Sequence, residues 1–166
     1  MLFRSYAASK LAFLLLGTQL TAQMGMRFAW GRIFHLYGPH EDRRRLVPAA
    51  IISLNNNQSF QASPGEQVRD YLHVTDVARA FLVLAEQKAT GIYNICSSIP
   101  ITLKSLLEQI GAITGKSGLI AYGAIPYRKW EPMFIWGDNK KLVDAGWSAQ
   151  INLTEGLEAY SKWIQN

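Results

Sequence analysis

Cysteine is scarce in this 166-residue sequence. The single cysteine, Cys96, excludes an internal disulfide framework, and no Cys/His spacing is typical of a zinc site. Long apolar runs are also missing, because the run at residues 11–16 is far too short to span a bilayer. Internal repeats, low-complexity linkers and coiled-coil heptads are absent as well. With 49% hydrophobic and 17% charged residues, the composition predicts one globular domain, and a reducing cytoplasm is the simplest setting.

The positive charge of the chain is unevenly distributed. The formal net charge is +5, and the first 50 residues contain seven Lys/Arg against only Glu41 and Asp42, so the remainder is neutral. A nucleic-acid groove is one interpretation and a pocket for a diphosphate is another. The modest excess and the lack of repeated aromatic/basic interleaving favour the diphosphate. A third interpretation is the loss of an acidic N-terminal half.

A tyrosine and a lysine stand four residues apart at the start of the chain, in the segment Ser5-Tyr6-Ala7-Ala8-Ser9-Lys10. On a helix this spacing places the Tyr6 hydroxyl and the Lys10 ammonium on one face. A neighbouring cation favours the phenolate form of a tyrosine, which suits it for proton exchange with a hydroxyl or carbonyl substrate. The pair is therefore a candidate acid–base, and the alternative is an ordinary helix whose lysine extends to water.

Four further segments follow the Tyr/Lys helix in a fixed order. They are residues 31–39 (GRIFHLYGP), residues 69–80 (RDYLHVTDVARA), residues 91–95 (GIYNI) and the pair Gly146-Trp147. Together with Tyr6 and Lys10, this set resembles the NAD-dependent epimerase/dehydratase family, the extended short-chain dehydrogenases that remodel nucleotide sugars. The resemblance covers essentially the whole chain.

The resemblance implies an α/β fold, the C-terminal part of a Rossmann-like doubly wound parallel sheet with a smaller α/β substrate-binding region. Residues 1–40 and 89–97 would supply the last helix and strands of the dinucleotide-binding sheet. Residues 41–88 and 98–166 would form the nucleotide-sugar region. In that family a glycine-rich phosphate loop precedes the Tyr/Lys helix, and no Gly-x-x-Gly-x-x-Gly occurs in this sequence. The expectation is therefore the C-terminal half of a longer protein, inactive in nicotinamide-dependent turnover on its own.

The resemblance also implies a set of site residues. Tyr6 and Lys10 would be catalytic and would contact NAD or NADP, together with Tyr37 and Pro39. The nucleotide-diphosphate sugar would be bound by His35, Leu46, Val47, Arg69 and Arg128. Several alternatives stay open. His35, where the family often has Asn, is equally a histidine satisfied by the backbone, whereas apolar residues such as Leu46 and Val47 are more often core residues. For Arg69 the phosphate role is preferred over a structural bridge to Asp70 or Asp76. One arginine of the run at 43–45 would be a further phosphate contact, but the sequence does not say which.

The expected function of the intact protein is that of a nucleotide-sugar epimerase, dehydratase or reductase, with no metal and no membrane or nucleic-acid partner, and with homodimerisation by analogy with relatives. One alternative is a non-catalytic relative that binds a nucleotide or a nucleic acid. Another is an exported protein with a signal peptide at residues 1–23, since Arg4 and Lys10 precede the apolar run.

Local patterns predict several elements. Residues 11–16 are apolar on all sides and predict a buried helix ended by Gly25, and residues 26–34 predict a strand. Residues 46–54 repeat at helical spacing, and the charged run 40–45 before them predicts a solvated face. Three caps are expected as well, at Thr75 or Asp76, at Thr102, and at Asn152 in a capping box with Glu155.

Overall fold

The fold consists of helices packed around short, mostly parallel strands. A computed structural model describes residues 2–165, with side chains from residue 5 to residue 165. The predicted regions begin at Met1 and end at Asn166, and these two residues lie outside the described residues. The helices are α1 (Leu2–Gln23), α2 (Leu46–Asn55), α3 (Val74–Glu86), α4 (Leu103–Thr114), α5 (Lys140–Asp144) and α6 (Leu153–Gln165), with a 3-10 turn at Ser117–Leu119. The strands are β1 (Ala29–Ile33), β2 (His35–Tyr37), β3 (Phe60–Gln61), β4 (Val68–His73), β5 (Gly91–Ile95), β6 (Pro100–Thr102) and β7 (Ile120–Ala121).

The chain changes sheet at Phe34. Before it, β1 pairs in parallel with β5, with Ala29 opposite Gly91 and Ile33 opposite Ile95. After it, β2 pairs in parallel with β4, whose other neighbour, β6, is antiparallel. The observed strand β1 is thus shorter than the strand predicted over 26–34. Strand β2 lies within the region 1–40 that was predicted for the dinucleotide-binding sheet, but it pairs with β4, which lies in the predicted substrate region. A third parallel pair joins β3 to β7.

Two hydrophobic cores stabilise the part of the protein that follows β1, which we call the body. The first lies among α2, α4 and α6 and includes Leu54, Leu107 and Leu157. The second lies between α3, β5 and α5 and includes Leu84, Ile95 and Trp147. The apolar residues that repeat along α2 and α4 fill the first core, because side chains three and four residues apart share one helix face.

Helix α1 belongs to neither core, which contradicts the prediction of a buried helix. Of its residues 5–23, only Leu14 is buried, whereas Leu16 is 69% exposed and Phe13 is 63% exposed. Leu14 and Gly17 form a narrow stripe on the inner side, where the ring of Phe28 packs so closely on Gly17 that a Cβ would collide with it. The apolar character of α1 indicated a helix that is buried on several sides, but in the described chain most of its apolar side chains stay exposed, including Phe13, whose ring contacts that of Trp30. Gly25, at φ +66°, follows the helix end as predicted.

Helix caps and buried carboxylates also stabilise the body through hydrogen bonds. Thr102 caps α4 by accepting from Ser105 N, as predicted, and Asn152 caps α6 by accepting from Glu155 N, which confirms the Asn152 side of the predicted capping box. The predicted cap of α3 is wrong: the N-cap is His73, two or three residues earlier, and His73 Nδ1 accepts from Thr75 N. Asp76 is instead fully buried and accepts from the backbone of Gln150 and Ile151. These bonds tie the segment after α5 to α3.

Candidate functional site

An open cleft lies where the chain passes from one sheet to the other. Its volume is about 680 Å³, and its lining residues come from α1, β1, the start of β2, the start of α2 and the segment before α5. They are Tyr6, Arg32, Ile33, Phe34, His35, Arg45 and Ile135. None of the seven is acidic and two are arginines, so the cleft favours an anionic ligand.

Tyr6 lines this cleft, and Lys10 lies beside it on α1. Both residues are on one face of α1, as the spacing predicted, and Lys10 Nζ is 5.5 Å from the centre of the Tyr6 ring. Tyr6 is 64% exposed, so its hydroxyl is accessible to a ligand in the cleft. The arrangement provides a phenol for proton exchange with a cation beside it.

His35 occupies the position where β1 ends and β2 begins. Its Nδ1 is buried and has no hydrogen-bond partner among the described residues. Burial lowers the pKa of His35 below its usual range, and the charge of Arg69 lowers it further. The imidazole therefore forms part of the cleft wall with its Nδ1 turned away from solvent, and its ring centre is 5.5 Å from that of Tyr71.

The structure distinguishes the three consecutive arginines. Arg45, the residue before α2, lines the cleft. Arg44 pairs with Asp42 at 2.6 Å on the surface, and Arg43 is exposed and does not line the cleft. Sequence reasoning missed a further cleft residue, Arg32, although a charged residue within an otherwise apolar strand was a usable signal.

Arg69 is buried behind the cleft rather than exposed in it. Its side chain is 6% exposed; one terminal nitrogen donates to Glu131 Oε1 at 2.6 Å and the other to the Val68 carbonyl at 2.8 Å. The expectation of Asp70 or Asp76 as its structural partner is therefore wrong. Asp70 accepts from Ser97 and Ser98, and Asp76 pairs with Arg79. Glu131 was not predicted, although it lies three residues after the candidate Arg128.

The remaining predicted residues do not line the cleft. Tyr37 is fully buried, and its hydroxyl donates to the Leu153 carbonyl, so any contact with a cofactor would use its main chain. Val47 is a core residue at 1% exposure, and Leu46 packs against the same core. Pro39 is half-buried, and Arg128 is exposed on the irregular segment after β7. Burial of Tyr37 and Val47 contradicts a side-chain contact with ligand.

A second cavity lies away from the predicted site residues. It has a volume of about 360 Å³, lies between α3 and residues 146–150 and contains none of them. Residues 2–165 hold no group of three or more His, Cys, Asp or Glu side chains arranged for a metal ion. Within the same residues, no helix combines the length and the apolar character that a membrane span requires.

Comparison with known proteins gives consistent matches. The model of the NAD dependent epimerase/dehydratase family matches residues 3–96. The CDP-abequose synthase of Salmonella typhimurium is 30% identical over 166 residues, which cover 96% of this chain and 56% of that protein. The UDP-glucose 4-epimerase of Thermotoga maritima, solved with UDP-glucose, is 25% identical with a TM-score of 0.88 over 96% of this chain and 53% of that one. The enzyme RMD of Pseudomonas aeruginosa, solved with NADPH, is 26% identical with a TM-score of 0.86 over 96% and 56%.

Two facts follow from these matches. The predicted α/β fold, with a Rossmann-like parallel sheet, is confirmed by the structural similarity. The chain spans about half the length of the curated relatives it matches.

Proposed function

Because the chain belongs to the NAD dependent epimerase/dehydratase family, we propose that the whole protein remodels a nucleotide-diphosphate sugar with a bound NAD or NADP. The observation that carries this proposal is the cleft, where an accessible Tyr6 with Lys10 beside it meets His35 and Arg45. The relatives act on or bind CDP- and UDP-sugars according to their names, so these two nucleotides are the first candidates.

Tyr6 is the proposed catalytic residue. As the phenolate it accepts the proton of a sugar hydroxyl, and as the phenol it returns a proton to the carbonyl oxygen when the reaction runs in reverse. Lys10 would stabilise negative charge on the phenol oxygen and would hold the cofactor ribose by donating a hydrogen bond to it. A bound nicotinamide supplies hydride transfer at the sugar carbon, which the side chains of this chain do not supply themselves.

The residues at the cleft suit both ligands. Arg32 and Arg45 provide positive charge for phosphates, and the ring of His35 forms part of the cleft wall. Arg69 and Arg128 are proposed as further phosphate contacts. Tyr37 and Pro39 would contact the cofactor through the main chain, and Leu46 would lie near the nucleotide.

The decisive experiment is Tyr6→Phe in the full chain that the gene encodes. Conversion of CDP- and UDP-sugars, followed by mass spectrometry and nicotinamide absorbance, should fall by about 10²- to 10⁴-fold, the usual contribution of general acid–base catalysis. The melting temperature should not change, because the Tyr6 side chain is exposed. Unchanged turnover in the variant would refute the acid–base role and favour a non-catalytic nucleotide-binding relative.

Residues 1–166 on their own should show no nicotinamide-dependent turnover. A glycine-rich loop at a helix N-terminus is the main anchor for the cofactor pyrophosphate, and these residues do not contain one. Turnover by the purified 166-residue chain would contradict this.

The exposed apolar side of α1 also fits the homodimer expected from the resemblance. Sedimentation equilibrium of the full chain tests this part of the proposal, and a monomer at all concentrations would contradict it.

A further inference from the structure

Helix α1 lies against strand β1, and two side-chain contacts connect them. Phe28, just before β1, packs on Gly17, where an added Cβ would lie 2.8 Å from the ring carbon Cζ. One step along the strand, the rings of Trp30 and Phe13 have their centres 5.8 Å apart. The contacting residues advance along the strand while they go back along the helix, so the two elements run in opposite directions.

The strand presents alternate side chains to α1. Phe28 and Trp30 share one face of the strand, and their ring centres are 6.3 Å apart. Gly31 faces the other side, since a Cβ there would lie 2.9 Å from the ring of Phe81 on α3. Because the side chains of a strand alternate between its two faces, Arg32 lies on the same face as Trp30.

These contacts determine the level at which Tyr6 meets the strand. Phe13 follows Tyr6 by two helical turns on one face, a distance of about 10.5 Å along α1. Arg32 follows Trp30 by about 6.6 Å along β1. From the Phe13–Trp30 contact, the helix therefore carries Tyr6 about 4 Å beyond the level of Arg32. Both Tyr6 and Arg32 line the cleft there.

A change of register between helix and strand would remove Tyr6 from this place. Sliding α1 by one turn displaces its side chains by about 5.4 Å, whereas a displacement of about 1 Å can reduce a catalytic rate about 100-fold. Elsewhere the described chain holds α1 weakly, because Leu14 is the only buried residue among residues 5–23. The two aromatic contacts are therefore the main determinants of the register.

We propose that Phe28 and Trp30 are positioning residues for Tyr6. Their contacts with Gly17 and Phe13 set the register of α1 on β1, and this register holds the phenol at the cleft. Neither Phe28 nor Trp30 is among the residues that line the cleft, so both act through α1 and not on the ligand. The inference rests on the proposed function, because it takes Tyr6 as the acid–base.

The test compares three variants of the full chain that the gene encodes. Trp30→Leu removes the ring contact with Phe13, and Trp30→Phe keeps a ring at this position. Leu16→Ala is the control, because it shortens a side chain of α1 that is 69% exposed. Turnover of CDP- and UDP-sugars gives kcat and KM. Fluorine NMR of the chain labelled with 3-fluorotyrosine reports on Tyr6, whose signal is the one that Tyr6→Phe removes.

Trp30→Leu should lower kcat at least about tenfold and change KM by less than about twofold, because the phenol is displaced while the substrate contacts remain. The fluorine signal of Tyr6 should shift in this variant. Trp30→Phe should recover kcat to within about threefold of wild type. Leu16→Ala should change neither the rate nor the signal.

A merely structural role for Trp30 would lower the melting temperature and leave kcat and the Tyr6 signal of the folded variant unchanged. That result overturns the inference alone, provided that Tyr6→Phe has lost turnover. An unmoved Tyr6 signal in folded Trp30→Leu overturns it at any value of kcat. Wild-type turnover in Tyr6→Phe would overturn the proposed acid–base role, and the inference with it.

A second variant covers the case in which Trp30→Leu does not fold. Gly17→Ala places a methyl group against the ring of Phe28, and alanine favours a helix more than glycine does. It should displace α1 on β1, lower kcat at nearly constant KM and shift the fluorine signal of Tyr6. Wild-type kcat with an unmoved signal in Gly17→Ala would contradict the proposed register.

Discussion

Helix α1 and the body contain similar apolar residues but use them differently. In the body, Leu54, Leu107 and Leu157 are completely or almost completely buried. In α1, Leu16 and Phe13 are mostly exposed, and the helix touches the rest of the chain through a stripe that contains Leu14 and Gly17. The candidate acid–base pair lies on the weakly packed helix, whereas the arginines proposed to bind phosphate, apart from Arg32 in β1, lie in the body.

Because of this difference, folding stability and the proposed chemistry depend on different parts of the chain. Apolar area removed from water contributes roughly 25 cal/mol per Å², so the body supplies most of the folding free energy of the described chain. Side chains of α1 contribute little, and substitutions there should act mainly on ligand chemistry. Each prediction below measures one side of this contrast.

The largest effect is expected at Asp70, which joins three parts of the body. Its carboxylate is fully buried and accepts from Ser97 N and Ser97 Oγ at 2.7 Å and from Ser98 N at 3.0 Å. Asp70→Ala would leave these donors unpaired in the interior and should cost about 3–5 kcal/mol of unfolding free energy. Urea denaturation followed by circular dichroism measures the loss.

The matched control for Asp70 is an exposed carboxylate. Asp144 pairs only with Lys140 on the surface of α5, and Asp144→Ala should leave the urea midpoint unchanged. If Asp70→Ala were as stable as Asp144→Ala, the interior of the body would not depend on this network, and the contrast with α1 would be weaker than the structure indicates.

A pair of identical substitutions compares the two regions directly. Leu107→Ala removes a side chain of 1% exposure and should cost about 2–5 kcal/mol through lost burial and a new cavity. Leu16→Ala removes a side chain of 69% exposure and should change stability by less than about 0.5 kcal/mol. The same urea experiment measures both, and a cost above about 1 kcal/mol for Leu16→Ala would show that this side of α1 is covered in solution.

The contrast also explains which parts of the structure the sequence predicts. The periodic apolar residues of α2 and α4, and the caps at Thr102 and Asn152, depend on neighbours within a few turns, and these predictions are confirmed. The predicted burial of α1 failed because hydrophobicity shows that a surface favours covering but does not identify what covers it. Four short segments were enough to predict the family to which the chain belongs. Their order along the chain is specific, even though each segment alone is a weak signal.

At the candidate site the sequence identified residue types better than partners. The spacing of Tyr6 and Lys10 fixes their common face through helix geometry alone. The Arg69–Glu131 pair joins residues 62 positions apart, and no local pattern records such a contact. Tyr37 was predicted to contact the cofactor; its side chain packs in the core, because the direction of a strand residue depends on its register with β4, so the prediction now applies to its main chain.

The smallest effect concerns Glu41, which the sequence placed in a solvated charge run. The structure half-buries it, and Oε2 has no hydrogen-bond partner within residues 5–165. Burial raises the pKa of Glu41 to about 7, although the charge of Arg45 opposes this shift. The folded protein therefore holds a proton on Glu41 at pH values where the unfolded chain, with a carboxyl pKa near 4.3, has released it.

The sign of the pH dependence follows from this proton. Below about pH 4.5 the Glu41 carboxyl is protonated, and its contribution to the free energy of unfolding is fully present. This contribution declines as the pH rises to about 7, because the carboxyl is then ionised in the folded state as well. The loss is about 1 kcal/mol, smaller than the full pKa shift implies, because the residue is only half-buried. Glu41→Gln should remove this decline and be more stable than wild type above pH 7.

Urea denaturation of both proteins between pH 4.5 and 8 tests this prediction. His35 and His73 act in the opposite direction, because burial lowers their pKa values and the folded state then resists their protonation as the pH falls. Subtracting the wild-type profile from that of Glu41→Gln removes this common contribution, and parallel profiles would contradict the assignment. Residues 5–23 of α1 contain no group that ordinarily titrates between pH 4.5 and 7. A pH dependence carried by Glu41 would therefore place the loss of stability between about pH 4.5 and 7 in the body and leave α1 to the chemistry.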